Sequence, residues 1–398
     1  MKIGVVFDLD GTLIDTMGFH IQTFKKAATE LGIKDIEEMT KKFSSEIGKP
    51  LDEIIENLLP HAPKRLKEQL MKKKWEYTLS QIEKIRPIKK SINVVKTLKH
   101  SGYNLAVFSS SIRIFVEKSL EKVGIKKYFD FIVTAEDVES KPSPKGLFKA
   151  CKSMNCDSCI YVGDRKVDEI TAKNAGYEFV YVQEPQLLKS IGTSILVSKI
   201  KLLKNSKIKK LIDKRIKEFE KLGTKNENEL FKELAFCLLT ANYSAEKGIK
   251  IQRSIGDGFL TLNRKMLEKS LRKLGYRYPK KRSEYIVDAR KILGNLKNIL
   301  KMDGKKAREE LVKKIKGLGY KEASHFLRNC GKDDVAIIDF HIIDLLSEHW
   351  IIKKPKTLTR KKYLEIEKEL EKISKKVGLK LSELDLYLWY LKTGKVLK

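Results

Sequence analysis

IKGLGYKEASHFLRNCGKDDVAIIDFH, residues 315–341, sets Gly317-Leu318-Gly319 between two stretches whose apolar positions recur every three or four residues. That spacing predicts helices at Ala307–Ile315 and Lys321–Cys330 joined by a tight hairpin. Glycines let the hairpin amides, and the N-terminus of the second helix, come close to a phosphate. Lys321 stands in the first turn of that helix, and Asp339 in IIDFH opens a third, Phe340–His349. A primary amine and a carboxylate behind a phosphate-facing turn are what imine chemistry at a nucleic-acid lesion requires. Each also has a plainer reading, Lys321 as a solvated first-turn lysine and Asp339 as a helix N-cap.

Helical periodicity continues on both sides of this stretch. Lys207–Leu222, Glu227–Leu239, Ser244–Ser254, Arg264–Leu274, Arg282–Ile299, Arg360–Val377 and Ser382–Thr393 all read as helices. Strand signals are nearly absent, so residues 201–398 are expected to form an all-α domain. They hold 50 Lys+Arg against 26 Asp+Glu, a balance of +24, whereas residues 1–200 hold 33 against 26, a balance of +7. Concentrated basic charge supplies sequence-independent affinity for nucleic acid through counterion release, so the second half is the expected polyanion binder.

The first half alternates differently. Ile3–Phe7 is an apolar run ending in Asp8-Leu9-Asp10-Gly11-Thr12, and Asn104–Phe108, Phe131–Thr134, Cys159–Val162 and Phe179–Val182 read as further strands with helices between them. This predicts an α/β doubly wound parallel sheet over residues 1–200, with a helical cap inserted at about 16–85 and a domain boundary near 200–206. Polar residues fall just beyond successive strands: Asp8 and Asp10, Ser109, Lys141 in KPSP, then Asp164 and Asp168 in GDRKVD.

Those four motifs in register resemble the haloacid dehalogenase (HAD) superfamily of aspartate-nucleophile phosphohydrolases, in particular its phosphoglycolate-phosphatase-like members, over about residues 1–185. The resemblance implies that Asp8 attacks phosphorus, and that Asp10 protonates the leaving oxygen and later activates water. It implies that Ser109 and Lys141 hold the phosphate oxygens. It further implies a Mg²⁺ bound by Asp8, Asp164, the backbone carbonyl of Asp10, and Asp168, and a small phosphomonoester as substrate. Cap residues His20, Lys25 and Arg65 are open to two readings, facing the site or solvated.

The helix-hairpin-helix around Gly317 and Gly319, with Lys321, Asp339, LLTANYSAEKG at 238–248 and LYLWYLKTGKVLK at 386–398, resembles the helix-hairpin-helix DNA glycosylases. Within them it is similar to the archaeal-type second class of 8-oxoguanine DNA glycosylase/lyases, over about residues 205–398. The resemblance implies damaged double-stranded DNA as partner, Lys321 as nucleophile at the sugar, and Asp339 as stabiliser of the cationic sugar. Strand cleavage by β-elimination would follow, without a cofactor. It places Gly317 and Gly319 on the DNA backbone, and Trp389 and Lys398 against the lesion. Asn242 and Tyr243 would lie in the gap left by the flipped base. Trp389 as plain core, and Asn242 with Tyr243 as a cap and a packing ring, remain the alternatives. No four-cysteine array follows Asp339, so no iron–sulfur cluster is expected.

No stretch approaches the roughly 20 apolar residues of a membrane span, and MKIGVVFDLD reads as a strand instead of a signal peptide, so a cytoplasmic location is expected. Five cysteines argue against a secreted disulfide framework, and Cys156-Asp-Ser-Cys159 lacks a second ligand pair at zinc spacing. The expected function is excision of 8-oxoguanine with strand nicking, fused to a Mg²⁺-dependent phosphatase. The alternative is a phosphatase for DNA ends or oxidised nucleotides, with the second half as its DNA-binding module.

Overall fold

All five residues of strand β1 (Ile3–Phe7) are apolar and all are buried, as in a strand covered on both faces. In this computed structural model, which describes residues 1–241 and 243–398, the chain divides into two compact units, Met1–Lys199 and Ile200–Lys398. Asn242, expected beside the flipped base, lies outside the described residues.

In the first unit, β2 (Ile14–Asp15) and β3 (Arg86–Pro87) pair antiparallel. They tie together the ends of an insertion made of helices α1 (Met17–Glu30), α2 (Ile36–Glu46), α3 (Leu51–Leu58) and α4 (Lys64–Ser80). Helix α5 (Lys89–His100) leads into β4 (Leu105–Phe108), and α6 (Arg113–Lys122) into β5 (Phe131–Val133). Then come α7 (Lys145–Ser153), β6 (Ser158–Gly163), α8 (Lys166–Ala175), β7 (Glu178–Tyr181) and α9 (Leu187–Lys204), whose last five residues fall in the second unit. The parallel sheet runs β5-β4-β1-β6-β7. The chain winds outward from β1 to one edge, crosses back, and winds to the other, so the crevice falls at the carboxyl ends of β1, β4 and β6. Phe7 pairs with Val107 and with Val162, which brings Asp8, Ser109 and Asp164 off three adjacent strands at nearly the same level.

The second unit comprises α10 (Ile208–Gly223), α11 (Glu227–Leu239), α12 (Ala245–Ile255), the one-turn α13 (Gly258–Thr261), α14 (Arg264–Lys273) and α15 (Pro279–Ala289). It continues with α16 (Leu296–Lys301), α17 (Gly304–Lys314), α18 (Tyr320–Asn329), α19 (Phe340–Glu348), α20 (Arg360–Val377) and α21 (Leu381–Thr393). The single helix expected at 282–299 is instead two. After a 3-10 turn at Arg290–Ile292 the chain passes through Gly294 at φ +84°, a conformation that ends one helix and lets the next set off in a new direction. Helix α11 is the axis of this unit, buried from Leu230 to Leu239 except at Lys232, in a cluster with Phe259, Leu267, Ile286, Leu311 and Phe326.

Candidate active sites

In the first unit, Lys141 lies between two carboxylates, its Nζ donating to Asp8 Oδ1 at 2.5 Å and to Asp168 Oδ1 at 2.8 Å. Burial alone would lower its basicity, but Asp168 and Asp8 raise it, so it stays an ammonium. Burial pushes Asp8 up, and the neighbouring Asp168, Asp164 and Asp10 add to that against Lys141. Asp164 is raised to about 6 by burial and by Asp168. Gly11, at φ +77°, admits this arrangement, since a side chain there would strike Asp164 Oδ2. Oxygens of Asp8, Asp164 and Asp168 all lie within 4.8 Å of one another. Asp164 Oδ1 is buried with no hydrogen-bond partner among the described residues. Crowded carboxylates and an orphaned oxygen are what a hard divalent cation satisfies, so the residues fit magnesium.

Asp10 stands apart from that cluster. Its carboxylate accepts from Thr16 Oγ1 at 2.6 Å and Ser111 Oγ at 3.0 Å, and meets His20 Nε2 at 3.1 Å. Burial would raise its pKa, yet the bonds from His20, Thr16 and Ser111 hold it well below the usual carboxylate range. His20 Nδ1 in turn lies 3.1 Å from Lys74 Nζ of α4, whose basicity burial lowers to about 7. The tautomer consistent with both contacts has Nδ1 accepting from Lys74 and Nε2–H donating to Asp10. His20 therefore faces the site, whereas Lys25 pairs with Glu37 on the surface and Arg65 is exposed. Ser109 differs from its expected place. Its Oγ is buried within the loop, accepting from Ser111 N at 3.1 Å, and it is Ser110 and Ser111 that line the cavity. That cavity, of about 50 Å³, is also lined by Phe43, Ile47, Ile54 and Trp75 of the insertion.

In the second unit, one cavity of about 880 Å³ is lined by Lys321, Asp339, Tyr243, Trp389 and Lys398 together. Lys321 opens α18 one residue in, half-buried, its Nζ donating to Thr240 O at 3.3 Å, with Glu322 Oε1 at 3.7 Å. Asp339 does cap α19, accepting from Ile342 N at 3.0 Å through Oδ1, and lines the cavity as well. Capping the helix therefore does not remove this residue from the cavity. The extended stretch before it is fixed by α20: Ala336 N donates to Glu367 Oε1 at 3.0 Å, and Tyr363 Oη donates to Ala336 O at 2.6 Å. Glu367 also takes a two-pronged bond from the buried Arg308, at 2.6 and 2.8 Å.

Of the hairpin glycines, Gly317 needs to be one twice over, since it has φ +82° and its α-carbon abuts the Tyr285 ring. Gly319 is the N-cap position of α18 at an extended φ that other residues adopt. The Tyr243 ring lies 4.6 Å from that of Tyr276, tilted by 56°. Lys398 Nζ is drawn inward to Glu233 Oε2 at 2.7 Å and Gln252 Oε1 at 2.5 Å.

Asp385, on the same cavity wall, has no counterpart in the sequence reading. It accepts from Arg328 Nη1 at 3.0 Å and is raised to about 6 by burial, with Asp339 adding to that against Arg328. An acid four residues before Trp389 in the apolar run LDLYLWYL was the available signal, since that spacing puts both on one helix face. All five cysteines are free thiols.

Comparison with known proteins separates the two halves. The family model for 8-oxoguanine DNA glycosylase matches residues 212–379, and that for haloacid dehalogenase-like hydrolase matches residues 5–182. An 8-oxoguanine DNA glycosylase/AP lyase of Methanocaldococcus jannaschii is 60% identical over 207 residues, covering 51% of this chain and 100% of its own length. One from Korarchaeum cryptofilum is 53% identical over 211 residues, covering 52% and 100%. Among solved structures, the M. jannaschii 8-oxoguanine glycosylase/lyase in complex with a 15mer DNA containing 8-oxoguanine matches with a TM-score of 0.50 at 60% identity. It covers 51% of this chain and 100% of that one.

Proposed function

Since the chain belongs, through its second unit, to the 8-oxoguanine DNA glycosylase/AP lyase family and carries a HAD-like hydrolase domain before it, we propose that it excises 8-oxoguanine, nicks the strand, and hydrolyses a small phosphomonoester. One observation supports the first activity above others: an amine, Lys321, and a carboxylate, Asp339, share one cavity wide enough for a purine, with Trp389 on its wall. A base inside a duplex cannot be reached, so the nucleotide must leave the stack. The free amine of Lys321 then attacks the anomeric carbon, the N–C bond forms as the glycosidic bond breaks, and the base departs with a proton. Asp339 offsets the positive charge on the sugar. Ring opening gives an imine, loss of the neighbouring proton expels the 3′ phosphate, and water releases the lysine.

In the first unit Asp8 is the nucleophile, and Asp10, held by Thr16, His20 and Ser111, handles the proton of the leaving oxygen. Ser110 and Ser111 replace Ser109 as the hydroxyls facing the phosphate, beside Lys141. Asp8, Asp164 and Asp168, with the Asp10 carbonyl, would hold a magnesium ion, which when bound offsets the charge of the phosphoryl group. A cavity of about 50 Å³ favours a small metabolite over a DNA end or a nucleotide.

Borohydride trapping on an 8-oxoguanine duplex tests the lyase. Wild type should become covalently joined to DNA, and Lys321→Gln should bind the same duplex yet neither crosslink nor nick. Crosslinking by the glutamine variant would remove Lys321 from the chemistry.

A further inference from the structure

Phe340 is 66% exposed, the largest fraction among the exposed large apolar side chains of the described residues. A single apolar residue in water is ordinary. This one is distinguished by its position: it follows Asp339, begins α19, and stands on the wall of the cavity that contains Lys321. Its ring centroid lies 3.9 Å from that of His341, tilted by 38°, and His341 meets Trp389 edge-on at 4.8 Å. Three aromatic rings therefore run in succession from the solvent-facing mouth to the half-buried wall, where Trp389 stands.

We propose that Phe340 is a stacking residue that receives the π-face of the extruded purine at the mouth of the cavity. The inference rests on the base-excision reading and adds a residue to it. Every base has a π-face, so a bare phenyl ring holds a flipped nucleotide without selecting which one. Phe340 thus favours extrusion, and choice of lesion is left to polar groups deeper in the cavity. Its first-turn position, immediately after the N-cap that is itself Asp339, couples the two events: a base resting on the ring has its sugar beside the carboxylate.

The test compares wild type, Phe340→Ala and Phe340→Trp in the full chain on two duplexes, one carrying 8-oxoguanine and one a preformed abasic site. With enzyme in excess, the alanine variant should excise 8-oxoguanine roughly 5- to 150-fold more slowly, the span that loss of one base–aromatic stack gives. It should nick the abasic duplex at the wild-type rate, because no base is present to stack. The tryptophan variant should stay within a few-fold of wild type on both. Equal loss on both duplexes would show that the ring merely supports Asp339 and would overturn the proposal. Wild-type rates for the alanine variant on both would overturn it too. If wild type itself acts on neither duplex, the excision reading fails and takes this inference with it.

Discussion

Protonation of Lys74 works against the folded state. This lysine is buried, its contacts are a histidine ring nitrogen and, at 3.7 Å, the face of Trp75, and its basicity falls from 10.5 to about 7. Above pH 10.5 the amine is neutral in folded and unfolded chains alike. As the pH falls the unfolded chain takes up the proton first, so the native state loses stability down to about pH 7 and bears the full penalty below it. Lys74→Met should therefore stabilise the first unit at pH 6, by at most roughly 5 kcal/mol at 1.36 kcal/mol per pH unit, with the gain fading toward pH 10. Denaturant melts at the two pH values measure it, and a gain equal at both would contradict the burial argument. Asp8, Asp10 and Lys141, which line one cavity, and Lys321 and Asp339, which line another, were legible in the sequence as candidates because motif spacing singles them out. Lys74 and Asp385 were not, because their roles arise from helices far along the chain packing onto the site.

At the scale of elements, the extended stretch that presents Asp339 depends on α20. Arg308 and Glu367 are both buried, and Glu367 also satisfies Ala336 N. Glu367→Leu would strand the guanidinium in an apolar setting and should cost about 3–5 kcal/mol, whereas Arg308→Met/Glu367→Leu should recover most of it. A double variant as unstable as the single one would show that packing, and not the unpartnered charge, sets the penalty. Most helices of this half were readable from their period, with ends shifted by up to three residues, although the one-turn α13 was not. The break at Gly294 was missed because apolar periodicity runs through it, even though the glycine that makes it was visible. The two-residue strands at the base of the cap were likewise invisible, being too short to show any alternation.

Across the whole molecule the charge is divided as the chemistry is. With +24 in residues 201–398 and +7 in residues 1–200, the DNA affinity of the chain should fall about a thousandfold or more between 50 and 200 mM salt if about six phosphates are contacted. The KM for a small phosphomonoester should move less than about tenfold, since one dianion replaces many. Filter binding and steady-state hydrolysis over the same salt series provide both numbers. Asp8→Asn should abolish hydrolysis of a generic phosphomonoester and leave strand nicking unchanged, and a joint loss would contradict two self-sufficient sites. No helix among the described residues is long and apolar enough to cross a membrane. The fastening of Ala336 by Tyr363 and Glu367 also bears on biosynthesis. Translation delivers Lys321 and Asp339 before α20, so in a nascent chain the stretch in front of Asp339 has not yet met the helix that fixes it. On the proposed reading, strand cleavage thus awaits the docking of α20.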